Sequence, residues 1–334
     1  MTSTLTILQQ VLQAAEDEDY QGFSKFDALN SPLVHKLAFD NRWLQLIYTQ
    51  LVKESPVNLR PTLGVSKSRN PKGIALFARA YFFLYQLTRS PAFIAKGQDL
   101  LQWLLNNPSP GYSRLCWGYN FIWQSTLFRQ DRFAPNAVVT VFVGEALIHA
   151  YRVTQEQRYL DAARSVVEFI IRDLPVLYET DEERAIAYVL EPVKAVVLNN
   201  QVLTAALLVK VWKHTGEDQL LDIARRQFNY TVNRRTPYDA WYYTFPRANS
   251  PIQHDNYHTG GILDGLLEYF EETGDQHYQA VYFRGLQYYQ DHLFEPDGAP
   301  RWMNTKRYPY DIHGAAQGII SFAKAARHVP EYRT

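Results

Sequence analysis

The feature that most constrains this chain is a turn that recurs. Thr88, Thr154, Thr215 and Thr273 each close a helix-like stretch, and they fall roughly sixty residues apart. The stretch before each turn is rich in Ala, Gly and Val. The stretch after it carries more Arg, Glu, Gln and Tyr. A repeat of that length and composition is an array of helical hairpins, in which stacking on neighbours buries apolar faces that one hairpin leaves exposed. The small-residue helices suit an inner layer, and the charged ones suit an outer layer with a solvated face. Eleven or twelve helices make five to six hairpins. An open array needs capped ends, whereas a closed one has none. The expected fold is therefore all-α: an (α/α)6-type toroid with inner and outer helix rings. The repeat leaves no composition break, so residues 1–334 read as one domain.

Periodicity and punctuation place helices over 2–18, 31–51, 71–87, a stretch ending near 106, 136–151, 158–171, 199–212, 219–233, 260–273, 276–293 and a last one ending near 327. The clearest copy of the repeat is 253–274, QHDNYHTGGILDGLLEYFEETG. Ile262, Leu263, Leu266, Leu267 and Phe270 form its apolar stripe. Asp264, Glu268 and Glu271 fall opposite, where Glu268 reads as a solvated residue. Gly260, Gly261 and Gly265 share a third edge, which suggests the close approach of another backbone.

Composition excludes several classes. Lys+Arg and Asp+Glu are both 34, so no net basic field is available for nucleic acid. Cys116 is the single cysteine, which rules out a disulfide framework and a multi-cysteine zinc site. The N-terminus lacks a signal-peptide pattern and no apolar run reads as a membrane span, so the expected setting is cytoplasmic. Aromatics make up 14% of the chain, which suits carbohydrate-facing clefts and large helical cores alike.

In a toroid the inner helices run in one direction, so their N-terminal ends and the long loops before them share one mouth. Five clusters fall there: Lys67, Arg69 and Asn70; Trp117, Tyr119, Asn120, Trp123 and Gln124 with Asn136; Glu191 with Asn199, Asn200 and Gln201; His254, Asp255, Tyr257 and His258; and Asp311, His313 and Gln317 with Arg301 and Tyr308. Helix N-termini make that face favourable to anions. Each cluster also has a structural reading. Asp311, Asn199 or Asn200 can serve as helix caps. Trp117, Trp123 and Trp241 can be packing residues. His254 and His258 lie close together, and no HExxH is present, so no metal and no cofactor are expected. GxSxG, P-loop and GxGxxG signatures are absent, as is an aspartate-rich prenyl-type motif.

The DNYHTGGILDGLLEY…TGD…Y unit, the CWGYNFIWQS loop and the YPYDIHGAAQ helix start resemble the six-hairpin glycosidase-like superfamily, and within it proteins found with bacterial polysaccharide-biosynthesis genes. The resemblance covers roughly residues 65–327 and implies a carbohydrate-active enzyme on an (α/α) toroid. That superfamily holds glycoside hydrolases, unsaturated-uronyl hydrolases, polysaccharide lyases and sugar epimerases.

Two chemistries fit the residues. Hydrolysis needs a carboxylate pair, available from Asp255, Asp311 and Glu191. It is the first expectation, being the commoner activity on this fold. Lyase or epimerase chemistry needs an acid and a base at carbon, for which Tyr257, His258 and His313 are candidates. Arg69, Arg247 or Arg301 would hold a uronate carboxylate. Substrate contacts are expected from Trp117, Asn120, Trp123, Gln124, Asn136, Glu191, Asn200, Trp241, Arg247, His254, Arg301 and Gln317. The partner is a poly- or oligosaccharide. The non-enzymatic alternative is a glycan-binding or assembly protein that uses the same cleft only to hold a chain.

Overall fold

The computed structural model describes residues 4–333; Thr2 and Ser3 of the first expected helix lie outside the described residues. Among the described residues there are twelve α-helices: α1 (Thr4–Asp17), α2 (Pro32–Ala38), α3 (Arg42–Glu54), α4 (Pro71–Thr88), α5 (Pro91–Asn106), α6 (Ala137–Thr154), α7 (Gln157–Arg172), α8 (Leu198–Thr215), α9 (Asp218–Val232), α10 (Asn256–Thr273), α11 (Gln276–Leu293) and α12 (Ile312–Ala325). The chain forms two compact units, Met1–Asp173 with Val189–Glu191, and Leu174–Tyr188 with Pro192–Thr334. The crossover has a local cause. The hairpin of Val176–Glu179 and Arg184–Ile186 packs on α9, whereas Val189 bridges back to Asn136.

In the first unit α4 packs against α5 and α6, and α6 packs against α7. In the second, α8 pairs with α9, and α10 contacts α8, α11 and α12. Inner-type helices are apolar nearly all round: α8 buries Val202, Ala205, Ala206, Leu207, Leu208 and Val209. Each fully buried leucine or valine contributes about 1.5–3 kcal/mol. Helix α6 is long and apolar enough to cross a membrane by length and composition, which the sequence reading did not register. Two thirds of it (67%) is buried inside the protein, as befits a core helix.

The four threonine turns share one hydrogen-bond pattern. The hydroxyls of Thr88, Thr154, Thr215 and Thr273 donate to the carbonyls of Leu84, Ala150, Val211 and Tyr269, at 2.7–3.1 Å. The same oxygens accept from the backbone N–H of Ser90, Glu156, Glu217 and Asp275, each at 3.3 Å. The residue between is left-handed: Arg89 (φ 61), Gln155 (φ 60), Gly216 (φ 70) and Gly274 (φ 78). One side chain thus satisfies the end of the first helix and the start of the next.

Three sequence expectations need correction. The helix read over 31–51 is two helices, because Phe39 and Asp40 adopt positive φ and the Asn41 side chain caps α3 by accepting from Trp43 and Leu44. The glycines of α10 face different neighbours. The expected approach of another backbone holds at Gly265, where a Cβ would lie 2.3 Å from Val202 Cγ1 and 3.2 Å from the Val202 carbonyl oxygen on α8; at Gly260 it would meet a side chain, Gln317 Cγ on α12, at 2.4 Å, and Gly261 meets nothing within 4 Å. Glu268 is not on a solvated face. It bonds Lys210 of α8 at 2.8 Å and Lys324 of α12 at 2.8 Å, between the two helices that flank α10.

Candidate functional site

In the second unit, two helix starts carry the same device. Asp255 is the N-cap of α10. Its Oδ1 accepts from the His258 N–H at 3.0 Å and from His258 Nδ1 at 2.8 Å. Asp311 is the N-cap of α12, accepting from the His313 N–H at 3.2 Å and from His313 Nδ1 at 3.0 Å. The Tyr257 ring ties the two dyads together, 5.2 Å from His258 and 5.5 Å from His313, centroid to centroid. Tyr243 lies against the other side of His258 at 4.3 Å. The first turn of α10 is pinned from below: Asn256 donates to Leu293 O at 2.8 Å and accepts from the Tyr289 hydroxyl at 2.9 Å. Burial holds that phenol well above its ordinary pKa, so it stays a neutral donor.

A carboxylate that holds Nδ1–H fixes the ring's orientation and leaves Nε2 as the atom that gains or loses a proton. Among the described residues neither Nε2 has a hydrogen-bond partner. The His258 side chain is 25% exposed and that of His313 50%. Both sit at the N-terminus of a long helix, where backbone N–H groups favour developing negative charge.

His254 differs from these two although it is their near neighbour. It is buried, with Nδ1 bonded to Trp241 O at 2.7 Å and Nε2 to the Tyr238 hydroxyl at 3.0 Å. A carbonyl can only accept, so Nδ1 carries the hydrogen and Nε2 accepts from Tyr238. Burial lowers its pKa, and the ring is held neutral. Both its nitrogens are committed, which makes it a support rather than a substrate contact.

The remaining expected contacts are placed as follows. Arg247 stacks on Tyr242 at 4.7 Å, and Tyr242 lies 4.3 Å from His254. Among the described residues Arg247 has no ion pair. Arg301 pairs with Glu295 at 3.3 Å, and Arg69 bonds the Asp19 carboxylate and carbonyl. Gln317 turns away from the dyads, donating to Asp264 at 3.1 Å and Ser321 at 3.0 Å. Asn199 and Asn200 are not caps: α8 is entered through Val197 without a side-chain bond, and both amides are buried inside its first turn.

Trp117 and Trp241 do not form sugar platforms. Each is 1% exposed, with its indole N–H donated to a backbone carbonyl, Leu104 and Thr231 respectively, both at 3.0 Å. In the first unit, Asn120, Gln124 and Asn136 are also buried. Asn120 bonds Ser68 and Ser24; Asn136 caps α6 and donates to Gln130 at 3.0 Å. Trp123 is half-buried between Phe26, Tyr119 and Phe128, and Glu191 is exposed. The Cys116 thiol is buried, which pushes its pKa up to about 12, so it is no nucleophile. Tyr243 is the site residue the sequence reading did not select. Its signal was the YY pair two residues after Ala240, in a loop that returns to α10.

Residues 130–284, which include the α10 dyad, match the family described as β-L-arabinofuranosidase, GH127 catalytic domain. None of the curated protein sequences matches the chain. Among solved structures, the GH76 α-mannanase of Bacteroides thetaiotaomicron is similar at TM-score 0.57 and 13% identity, over 80% of this chain and 72% of that one. A cellobiose 2-epimerase from Bacillus thermoamylovorans gives TM-score 0.58 at 12% identity, over 91% and 85%. A polysaccharide lyase gives 0.57 at 15%, over 77% and 73%. The fold is of the (α/α) toroid type shared by these solved structures. On this toroid a hydrolase, an epimerase and a lyase all occur among the similar structures, so the chemistry has to be read from the site.

Proposed function

We propose that this chain is a carbohydrate-active enzyme whose chemistry is proton transfer at a sugar carbon, with His258 and His313 as the exchanging groups. The observation that carries this reading is the paired dyad: each capping aspartate holds one Nδ1, and each Nε2 is left without a protein partner. One imidazole removes the proton from a carbon acidified by a neighbouring carbonyl or carboxylate. The negative charge that develops lies near two helix N-termini. The other imidazole returns a proton to the same carbon, which gives epimerisation, or a β-substituent leaves, which gives a lyase product. Arg247, with no ion pair of its own, is the arginine available for a uronate carboxylate.

Hydrolysis is the second reading, favoured by the match of residues 130–284 to a glycosidase family. It would use Asp255 and Asp311 as acid and base. Against it, one oxygen of each carboxylate, Oδ1, is already shared between a helix N–H and an imidazole.

The deciding measurement is incubation in D2O with acidic and neutral bacterial oligosaccharides, read by mass spectrometry. Deuterium on a sugar carbon, lost in His258→Asn and His313→Asn, is the expected result. A new reducing end without carbon-bound deuterium or unsaturated product would replace this reading with hydrolysis. Glycan binding with no product would leave the chain a binding protein.

A further inference from the structure

The tryptophans expected to stack on sugar are buried, yet an aromatic strip is exposed elsewhere. Tyr308 is 61% exposed and Tyr310 46%, on the loop that leads into Asp311. Their ring centroids are 4.9 Å apart. Arg307 ties them: its Nε donates to the Tyr310 hydroxyl at 2.7 Å, and its guanidinium lies 5.4 Å from the Tyr308 ring and 5.7 Å from that of Tyr310.

This loop physically joins the two dyads. Trp302 N donates to Arg307 O at 3.1 Å, closing a tight hairpin. The hairpin bonds the segment carrying the first dyad: Asn256 N donates to Trp302 O, Asn304 N donates to His254 O, and Met303 bridges Asp255. Its far end runs through Tyr310 directly into the second dyad's cap. The strip is thus continuous along the chain with the cap of the second dyad, on a hairpin bonded to the segment of the first.

We infer that Arg307, Tyr308 and Tyr310 form a second sugar subsite, which stacks the pyranose next to the reacting unit and makes the substrate a disaccharide or longer chain end. This rests on the proton-transfer reading of the dyads. A pyranose presents an apolar C–H face that suits an aromatic ring, and a rim of hydroxyls that suits the guanidinium and phenol. Rings already held by Arg307 lose little freedom on binding. A free monosaccharide at the dyads would leave the strip unused.

The test compares wild type with Tyr308→Ala, Tyr310→Ala and their Phe counterparts. The probes are the mannose, cellobiose-type and galacturonate series, graded from single sugars to hexasaccharides, with binding by saturation-transfer NMR and turnover by deuterium uptake. The expected result is wild-type affinity that rises on the order of ten-fold from one sugar unit to two. The Ala variants lose that gain and Tyr308→Phe keeps it, while Tyr310→Phe, which lacks the hydroxyl that holds Arg307, keeps part of it. Equal affinity for single and longer sugars, or length dependence untouched in both Ala variants, overturns the subsite. Product loss in His258→Asn with that outcome leaves the dyad reading standing alone. Length-dependent binding removed by the Ala variants, with no deuterium uptake in wild type, keeps the subsite and ends the dyad reading. No binding of any series ends both.

Discussion

Asn136 and Asp255 hold the same position, the N-cap of a long inner-type helix that follows an aromatic loop. Asn136 is fully buried, its amide shared between the α6 backbone and Gln130. Asp255 is nearly as buried, but its partner is an imidazole that reaches solvent. The structural duty is identical. What differs is whether the capping group's second partner can titrate. A neutral amide paired with glutamine can only hold a helix, whereas a carboxylate paired with histidine holds a helix and also fixes the orientation of an imidazole, which the proposed function uses for proton transfer. The cap is therefore a poor marker of function by itself, and its partner is the informative residue.

The comparison breaks first at the dyads. His258→Asn and Asp255→Asn should each lower kcat/KM on the order of 10²–10⁴-fold, with stability altered by about 1 kcal/mol. If both instead melt many degrees lower with activity retained in the folded fraction, the α10 cap is as structural as that of α6. The next effect lies below the dyads, where Glu268 bridges two lysines. Burial alone would raise its pKa, but Lys210 and Lys324 offset this and hold its carboxyl well below the usual range. Glu268→Ala leaves Lys210 buried without its counter-ion, at a cost of about 3 kcal/mol, measured by urea unfolding. Asn136→Ala should cost about 1–2 kcal/mol by the same measurement and leave the chemistry intact.

The smallest effect is a pH slope. Burial depresses the pKa of His254 below the ordinary 6.5. As pH falls through that value the unfolded chain takes up a proton that the folded one refuses, so the unfolded state binds more protons and stability declines. The contribution is fully present above 6.5 and fades toward the lower folded value. Melting temperature should therefore fall across this window in wild type and less so in His254→Gln. An unchanged slope in the variant would assign the effect to another group.

The hairpin array was legible because its signals are local. The threonine turns are written in five or six consecutive residues, and a cap needs only its own helix. The Asp-x-x-His and Asp-x-His spacings were visible as polar clusters, and Asp311 was already a candidate cap. Three misreadings share a different origin. Trp117 and Trp241 looked like platforms because loop aromatics carry no mark of burial, which distant backbone carbonyls decide. Glu268 looked solvated because a helical wheel gives a direction but not the neighbour waiting there. The 31–51 break was hidden because Phe39 and Asp40, without a glycine, adopt left-handed backbone.

The four threonine turns have one further consequence, for the order in which the molecule comes apart on warming. Gly216 and Gly274 occupy the left-handed position at no steric cost, whereas Arg89 and Gln155 occupy it against their own side chains, at about 1 kcal/mol each. The threonine bonds are alike at all four, but the Gln155 side chain also donates to Tyr151 O at 3.3 Å and Arg152 O at 3.2 Å, so the penalty is least offset at Arg89. Amide exchange should therefore open the turn at 89 before those at 216 and 274.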